Sequence, residues 1–423
     1  MPSRLPVRLL TAAVGVTSAA AVVVAVTATA GRPAPAAVAT GPARSVIFIT
    51  GDGMGEAHRA AGRLHLVGPE GQLQMDQLPH SGSLTTDPRD PGSVITDSAA
   101  GASAWATGQK TYNGAISVDV EGNALPTIGQ QAKAAGKATG LVTTAQVTDA
   151  TPAAFFASTT DRALQDQIAR QYLEVSEPDV ILGGGEDWWL PAGSPGAYPD
   201  NPPEDPDEAS QGEEGDLVAA AQAAGYAYVS TAEELDAASG PKLLGLFANQ
   251  EQFQQEPEGQ GDVYSPVVGL ATMTEKALDT LDAAPDGFFL LVEEEAVDEF
   301  AHANNGEKML LAMRELDAAV AVARAYVAEH PDTLLVVTGD HETGGLAVED
   351  GTDTEDESGD GDSAEDGPFP AAGSGLPFTM DWTTGQHTGG AVPVTADGPG
   401  AERFSGQHPN THVHEVLSTA LGL

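Results

Sequence analysis

A three-layer α/β sandwich is the fold class this chain of 423 residues predicts: a largely parallel central sheet, helices on both faces and a small, crown-like inserted segment. Three observations carry it. Six short, continuously apolar runs recur along the chain, segments of 3.6-residue periodicity separate them, and an acidic, Gly/Pro-rich stretch interrupts the alternation late in the sequence. Runs that are apolar at every position, rather than at alternate ones, suit strands buried on both faces, and a sheet covered on both faces is most often parallel.

In chain order, residues 1–30 stand apart from this pattern. Arg4 and Arg8 precede an uncharged Ala/Val-rich run over 9–26, and Ala28-Thr29-Ala30 supplies the small side chains of a cleavage site, so 1–30 reads as a secretory signal peptide. A membrane anchor is the alternative, since the run approaches spanning length, but its Ala and Thr are weakly apolar. With no second such stretch, the mature chain is expected to carry no membrane span and to work outside the cell or in a periplasm.

The body, 31–423, is expected to form one catalytic unit whose sheet begins with 45–50 and continues with 138–143, 179–182, 243–247, 287–292 and 333–338. Helical periodicity over 161–173, 216–224, 267–283 and 306–329 supplies the covering layers. Two stretches, 199–216 and 349–366, are crowded with Asp, Glu, Gly and Pro; they read as solvated loops, the second opening an insertion over about 349–384 outside the main sheet. Asp360-Gly-Asp362 lacks the oxygen series and terminal Glu of a calcium loop.

Composition narrows the chemistry. With 18 Lys and Arg against 62 Asp and Glu, the formal net charge is -44, which argues against a nucleic-acid-binding surface or attraction to anionic lipid. There is no cysteine, so a metal must be held by oxygen and imidazole, a donor set that suits zinc, cobalt, manganese or magnesium.

Asp298 and His302 lie four apart, on one face of a helical turn, and Asp340-His341 follows the run 333–338 directly, at the carboxyl edge of the expected sheet. Together they offer four oxygen or nitrogen donors. Each piece alone also fits an ion pair or a cap. Gly51-Asp52-Gly53-Met54-Gly55 follows the first run, which puts Asp52 at the same edge, with helix capping as the structural alternative. Asp97-Ser98 opens a run of tiny side chains ending at Gly108; Ser98 would sit on a helix's first turn, where free N–H groups stabilise an alkoxide or a phosphate, although by itself Asp-Ser before an Ala-rich helix is more often just an N-cap. His58, His65, His80, His330 and His408 have no partner pattern and read as core or surface residues, and His412-Val-His414 as at most an adventitious metal binder. Trp188-Trp189 reads as a packed lid over the sheet edge.

The segment from Thr96 to Gly114, with Asp97-Ser98 and Lys110-Thr-Tyr-Asn-Gly114, closely resembles the nucleophile segment of bacterial alkaline phosphatases. Further motifs resemble that family in the same order: Asp149-Ala-Thr151-Pro-Ala-Ala154, Arg162, then Glu293 with Asp298 and His302, Asp340-His341, and Gln386-His387-Thr388-Gly389. The resemblance implies one zinc on Asp298, His302 and His387, and a second on Asp52, Asp340 and His341, with cobalt as an alternative at either. It implies a magnesium on Asp52, Thr151 and Glu293, with Asp149 reaching it through water, and an Arg162 that Asp97 orients to clamp phosphate. Hydrolysis of small-molecule phosphate monoesters through a phosphorylated Ser98 is the activity implied, and a homodimer the assembly. The alternatives are a phosphodiesterase, a sulfatase, a phosphatase narrow for one metabolite, or a non-catalytic cation or phosphate scavenger. One residue departs from the enteric pattern: Glu299 stands where that form has a lysine near phosphate. Beside it Glu294 and Glu295 add negative charge, with a solvent-facing position as their plain reading.

Overall fold

The structure is a computed structural model that describes residues 42–198, 210–254, 263–351 and 364–423. The signal-like residues 1–30, most of the acidic stretch 199–216, and 352–363, with Asp360-Gly-Asp362, lie outside the described residues.

Ten strands make the main sheet. Ser45–Gly51 lies near its centre, parallel to Thr333–Thr338 on one side and Phe288–Glu294 on the other. Beyond Phe288–Glu294 the parallel order continues through Ala138–Gln146, Val180–Gly184, Leu243–Leu246 and Ala227–Val229. On the opposite flank Val392–Asp397 runs antiparallel to Thr333–Thr338, and His80–Thr85 and Gly406–Pro409 complete the edge. This flank carries no continuous apolar run: His80–Thr85, paired between Val392–Asp397 and the edge strand Gly406–Pro409, contains Ser81, Gly82 and Ser83 and is only partly buried.

Alternation along the central strands feeds two cores. Val46 and Phe48, Phe289 and Leu291, Leu334 and Val336 point to one face; Ile47 and Ile49, Leu290 and Val292, Leu335 and Val337 point to the other. Helices Ser98–Thr107, Ile128–Ala134, Ala150–Phe156 and His412–Leu421 cover the first. Glu56–Val67, Leu270–Leu281, Ala296–His302 and Gly306–Glu329 cover the second. Each fully buried apolar side chain contributes about 1.5–3 kcal/mol, so both layers are held against the sheet chiefly by this burial. The two tryptophans are core rather than lid residues, since Trp189 is fully buried and Trp188 packs against the first core.

A separate three-stranded antiparallel sheet, of Leu346–Asp350, Ala364–Pro370 and Pro377–Trp382, lies outside the main one. Its Phe378, Met380 and Trp382 pack into the second core, with Trp382 beside the ring of His58 at 6.0 Å between centroids. His58 is fully buried on Glu56–Val67 and accepts a hydrogen bond from the Gly55 N–H at 3.2 Å. Burial pushes its pKa down to about 4.

Because the folded protein holds His58 neutral below its ordinary titration range, the unfolded chain takes up a proton first as pH falls. Stability present above about pH 6.5 is therefore lost toward pH 4, and this residue should account for about 2 kcal/mol of the loss by pH 5. Urea midpoints at pH 7 and pH 5 should fall less in His58→Gln than in the wild-type protein; equal falls would show that His58 does not titrate on unfolding.

Candidate active site

Strand register gathers the site. Thr338, Thr50, Glu293 and Thr143 are neighbours across four adjacent strands, so the chain leaves the sheet at one level. Asp52 and Asp340-His341 follow within a few residues, and Glu293 itself ends at that edge. Helix Ala296–His302 starts immediately afterwards and carries Asp298 and His302 on one face. A two-residue ribbon pairs Glu342–Thr343 with His387–Thr388 and brings His387 back from the far side of the inserted sheet. Ser98 opens helix Ser98–Thr107, which is buried along its whole length. The run of small residues has a packing cause: a Cβ on Gly101 would lie 3.3 Å from the Asp340 Cβ.

Two donor sets result, Asp298 with His302 and His387, and Asp52 with Asp340 and His341; within each, one ligand atom per residue lies within 4.8 Å of the others. In the first set His302 Nδ1 donates to the Gly385 carbonyl at 2.8 Å and His387 Nδ1 to the Thr96 carbonyl at 2.9 Å. Both Nε2 atoms then face each other across 2.9 Å, an arrangement that needs a proton or a cation between them. Burial disfavours the imidazolium, yet Asp298, 3.1 Å from His302 Nε2, pushes the His302 pKa up to about 9. Burial likewise opposes ionisation of Asp298, but its hydrogen bonds with His302 and His387 win and hold that carboxyl well below the usual range.

The second set is more enclosed. His341 is fully buried, with Nε2 at 2.8 Å from Asp340 Oδ2 and 3.5 Å from Asp52 Oδ1. Asp52 Oδ1 is buried with no hydrogen-bond donor. Burial, then the charges of Asp340, Asp298 and Glu293, pushes Asp52 well above the carboxylate range. Glu293 is raised to about 8 by burial, although Thr143 donates to it at 2.7 Å. Buried carboxylates in mutual repulsion, with an oxygen left bare, are a donor set that cations would satisfy.

Ser98 Oγ lies 3.3 Å from His341 Nε2. Asp97 secures the helix start: one oxygen accepts from Ala100 N at 2.9 Å and the other from Gly114 N at 2.8 Å. Arg162 faces the same space, but its nearer partner is Asp149, both of whose oxygens accept from Nη2 at 3.0 Å, while Asp97 is 3.7 Å away. The geometry therefore puts the main hold on Arg162 with Asp149 rather than Asp97. An open cleft of about 510 Å³ has Asp97, Ser98, Arg162, His302 and His387 on its walls, together with Glu295 and Glu299.

The solvent-facing reading of Glu294 and Glu295 does not hold. Both are buried: Glu294 ends the central strand Phe288–Glu294, and Glu295 follows it directly at the start of helix Ala296–His302. Glu294 accepts from the Thr144 and Tyr264 hydroxyls at 2.8 Å each, and burial raises its pKa to about 8. Thr343, unremarked in the sequence, donates to Asp298 and lies 3.2 Å from His341 Nδ1. Its only prior signal was its place two residues after Asp340-His341. Among the described residues, His412 and His414 belong to no cluster of three or more such donors.

A hydroxyl at a helix N-terminus, flanked by two oxygen and nitrogen donor sets and a guanidinium, has the layout of a metal-dependent hydrolase. The family model described as alkaline phosphatase matches residues 43–364. Streptomycin-6-phosphate phosphatase of Streptomyces griseus is 36% identical, over 97% of this chain and 97% of that protein. The alkaline phosphatase of Escherichia coli (strain K12) is 32% identical over 90% of this chain and 87% of its own length. In three dimensions the Thermus thermophilus alkaline phosphatase superposes with a TM-score of 0.74 at 26% identity, covering 90% of this chain and 92% of that one. The chain belongs to the alkaline phosphatase family and is a phosphoric monoester hydrolase.

Gly53 tests how tightly the site is built. It holds φ at +67°, and an added Cβ would lie 2.5 Å from Asp298 Oδ1 and 2.9 Å from the Asp298 Cα. Gly53→Ala should displace Asp298 and lower bound metal per chain, measured by elemental analysis after dialysis, by half or more. Full metal content in a folded Gly53→Ala protein would contradict this packing.

Proposed function

We propose that the chain is a secreted alkaline phosphatase that hydrolyses small-molecule phosphate monoesters through a phosphoseryl intermediate at Ser98. The observation that carries this reading is the position of the Ser98 hydroxyl at a helix start, 3.3 Å from His341, with Arg162 and both donor sets around the same cleft. Asp298, His302 and His387 would hold one zinc, and Asp52, Asp340 and His341 a second, with cobalt as an alternative. Asp52, Thr151 and Glu293 would hold magnesium, whose water shell Asp149 would meet. The bare buried oxygen of Asp52 supports this assignment. When bound, such ions supply positive charge and Lewis acidity against the attacking and departing oxygens.

The chain's own residues do the rest. Ser98 attacks phosphorus in line as the alcohol departs on the side of His302 and His387, and water then cleaves the phosphoserine to release inorganic phosphate. Free N–H groups of the helix's first turn and the planar fork of Arg162 hold the equatorial oxygens, where charge is spread in the transition state. Asp149 and Asp97 fix that fork, one from each side. A clamp of this kind favours a dianionic monoester over a diester, which offers fewer charged oxygens. A sulfatase is disfavoured on the same ground. A non-catalytic scavenger would need no nucleophile at the centre of the cleft.

Residues 1–30 support export to the cell exterior or a periplasm, and no helix among the described residues is long and apolar enough to cross a membrane. We read 31–423 as one catalytic body with an insertion over about 349–384. A narrow role toward one phosphorylated metabolite is the second reading, favoured by the 36% identity with a phosphatase named for streptomycin-6-phosphate.

Acid quench during turnover of an aryl phosphate, followed by peptide mass spectrometry, should find phosphate on Ser98. Ser98→Ala should lose the label and at least about 10³-fold in kcat/KM. Turnover with an unlabelled Ser98, or full activity of the variant, would overturn the mechanism.

A further inference from the structure

We propose that Thr343 is a positioning residue that ties the two donor sets together: its hydroxyl links His341 of one set to Asp298 of the other, so that loss of this one hydroxyl weakens metal binding at both. The role rests on the metal assignment above and extends it to a residue that is not itself a ligand.

The direction of the link follows from the chemistry of its members. Thr343 Oγ1 carries one proton and donates it to Asp298 Oδ1, a carboxylate oxygen that can only accept. The same hydroxyl oxygen lies 3.2 Å from His341 Nδ1. With its proton given to Asp298, Oγ1 can only accept from the ring, so Nδ1 is the donor. That assigns the proton of a neutral His341 to Nδ1 and leaves the Nε2 lone pair for the second set. There Nε2 lies 2.8 Å from Asp340 Oδ2, 3.5 Å from Asp52 Oδ1 and 3.3 Å from the Ser98 hydroxyl. His341 Nδ1 is 3.8 Å from Asp298 Oδ1, too far for a direct hydrogen bond, so only the threonine connects the two.

The fold holds this hydroxyl in place from several sides. Thr343 is fully buried, and its backbone N–H donates to the Gly53 carbonyl at 3.2 Å. In the ribbon of Glu342–Thr343 with His387–Thr388 it stands opposite His387, a member of the first set. Gly53 leaves it room, since an added Cβ there would lie 2.8 Å from Thr343 Oγ1. A hydroxyl so confined restricts the orientation of the His341 ring and of the Asp298 carboxylate at once. Partners that orient ligands in this way contribute about 10- to 100-fold in metal affinity. Valine at this position would fill the same space, yet it would leave the His341 Nδ1–H and the Asp298 oxygen without this partner.

Zinc affinity tests the link without any turnover. Wild-type protein, Thr343→Val and Thr343→Ser, each stripped of metal and reloaded with zinc, are titrated with a chromogenic zinc chelator to read the affinity of both donor sets. Thr343→Val should weaken both by about ten-fold or more, while Thr343→Ser, which keeps the hydroxyl, should stay within about three-fold of wild type. Unchanged affinity in Thr343→Val, weakening at one set alone, or an equal loss in Thr343→Ser overturns the proposal. As a measurement that needs no variant to fold, nitrogen NMR of zinc-loaded wild-type protein with labelled histidines should find the His341 proton on Nδ1; a proton on Nε2 would equally overturn it. Wild-type protein that binds no zinc at either set would instead remove the metal assignment, and this role with it.

Discussion

Repulsion among buried carboxylates is the constraint on which the rest of the structure depends. Asp52, Asp298, Asp340 and Glu293 share one enclosed space, and burial alone makes each reluctant to ionise. Protons on His302 and His387 relieve part of that repulsion, yet Asp52 Oδ1 remains without a donor. Such a cluster is unfavourable for a fold considered alone. It becomes favourable when cations are included, which couples binding of metal to stability of the folded chain.

The sheet makes this crowding feasible. Parallel strands in register deliver their ends to one level, and two closely packed helical layers keep those ends from spreading. Small residues then let backbone approach: Gly101 admits helix Ser98–Thr107 against Asp340, and Gly53 admits the first loop against Asp298. The nucleophile thus owes its position to packing a full layer away, through Ala99, Ala102 and Trp105 against Phe48.

Much of this could be read from the residues alone, for a physical reason. Strands buried on both faces must be apolar throughout, so 333–338 announces the strand Thr333–Thr338, and the periodicity of 306–329 announces the helix Gly306–Glu329. Glycines beside Asp52 and the tiny run after Ser98 are equally visible, because close approach permits few side chains. The flank formed by His80–Thr85, Val392–Asp397 and Gly406–Pro409 was not legible, since Ser, Gly, Pro or His interrupts each of these short strands and none keeps a continuous apolar run. Nor was the partner of Arg162. A contact across 13 residues of turn and helix depends on how Asp149 is turned, and its carboxylate leaves the helix it precedes uncapped to reach the guanidinium. Glu294 and Glu295 were misleading for a related reason: consecutive acids suggest solvent, and only the topology shows that the junction of strand Phe288–Glu294 with helix Ala296–His302 lies inside the protein.

The central claim is that imidazoles and carboxylates from five separated segments converge because cations belong between them. Anomalous diffraction from crystals grown with zinc, recorded on both sides of the zinc edge, tests it most directly. The account predicts one peak between Asp298, His302 and His387 and another between Asp52, Asp340 and His341. A map with neither peak, or with zinc bound only at other histidines such as His408 and His412, would contradict it.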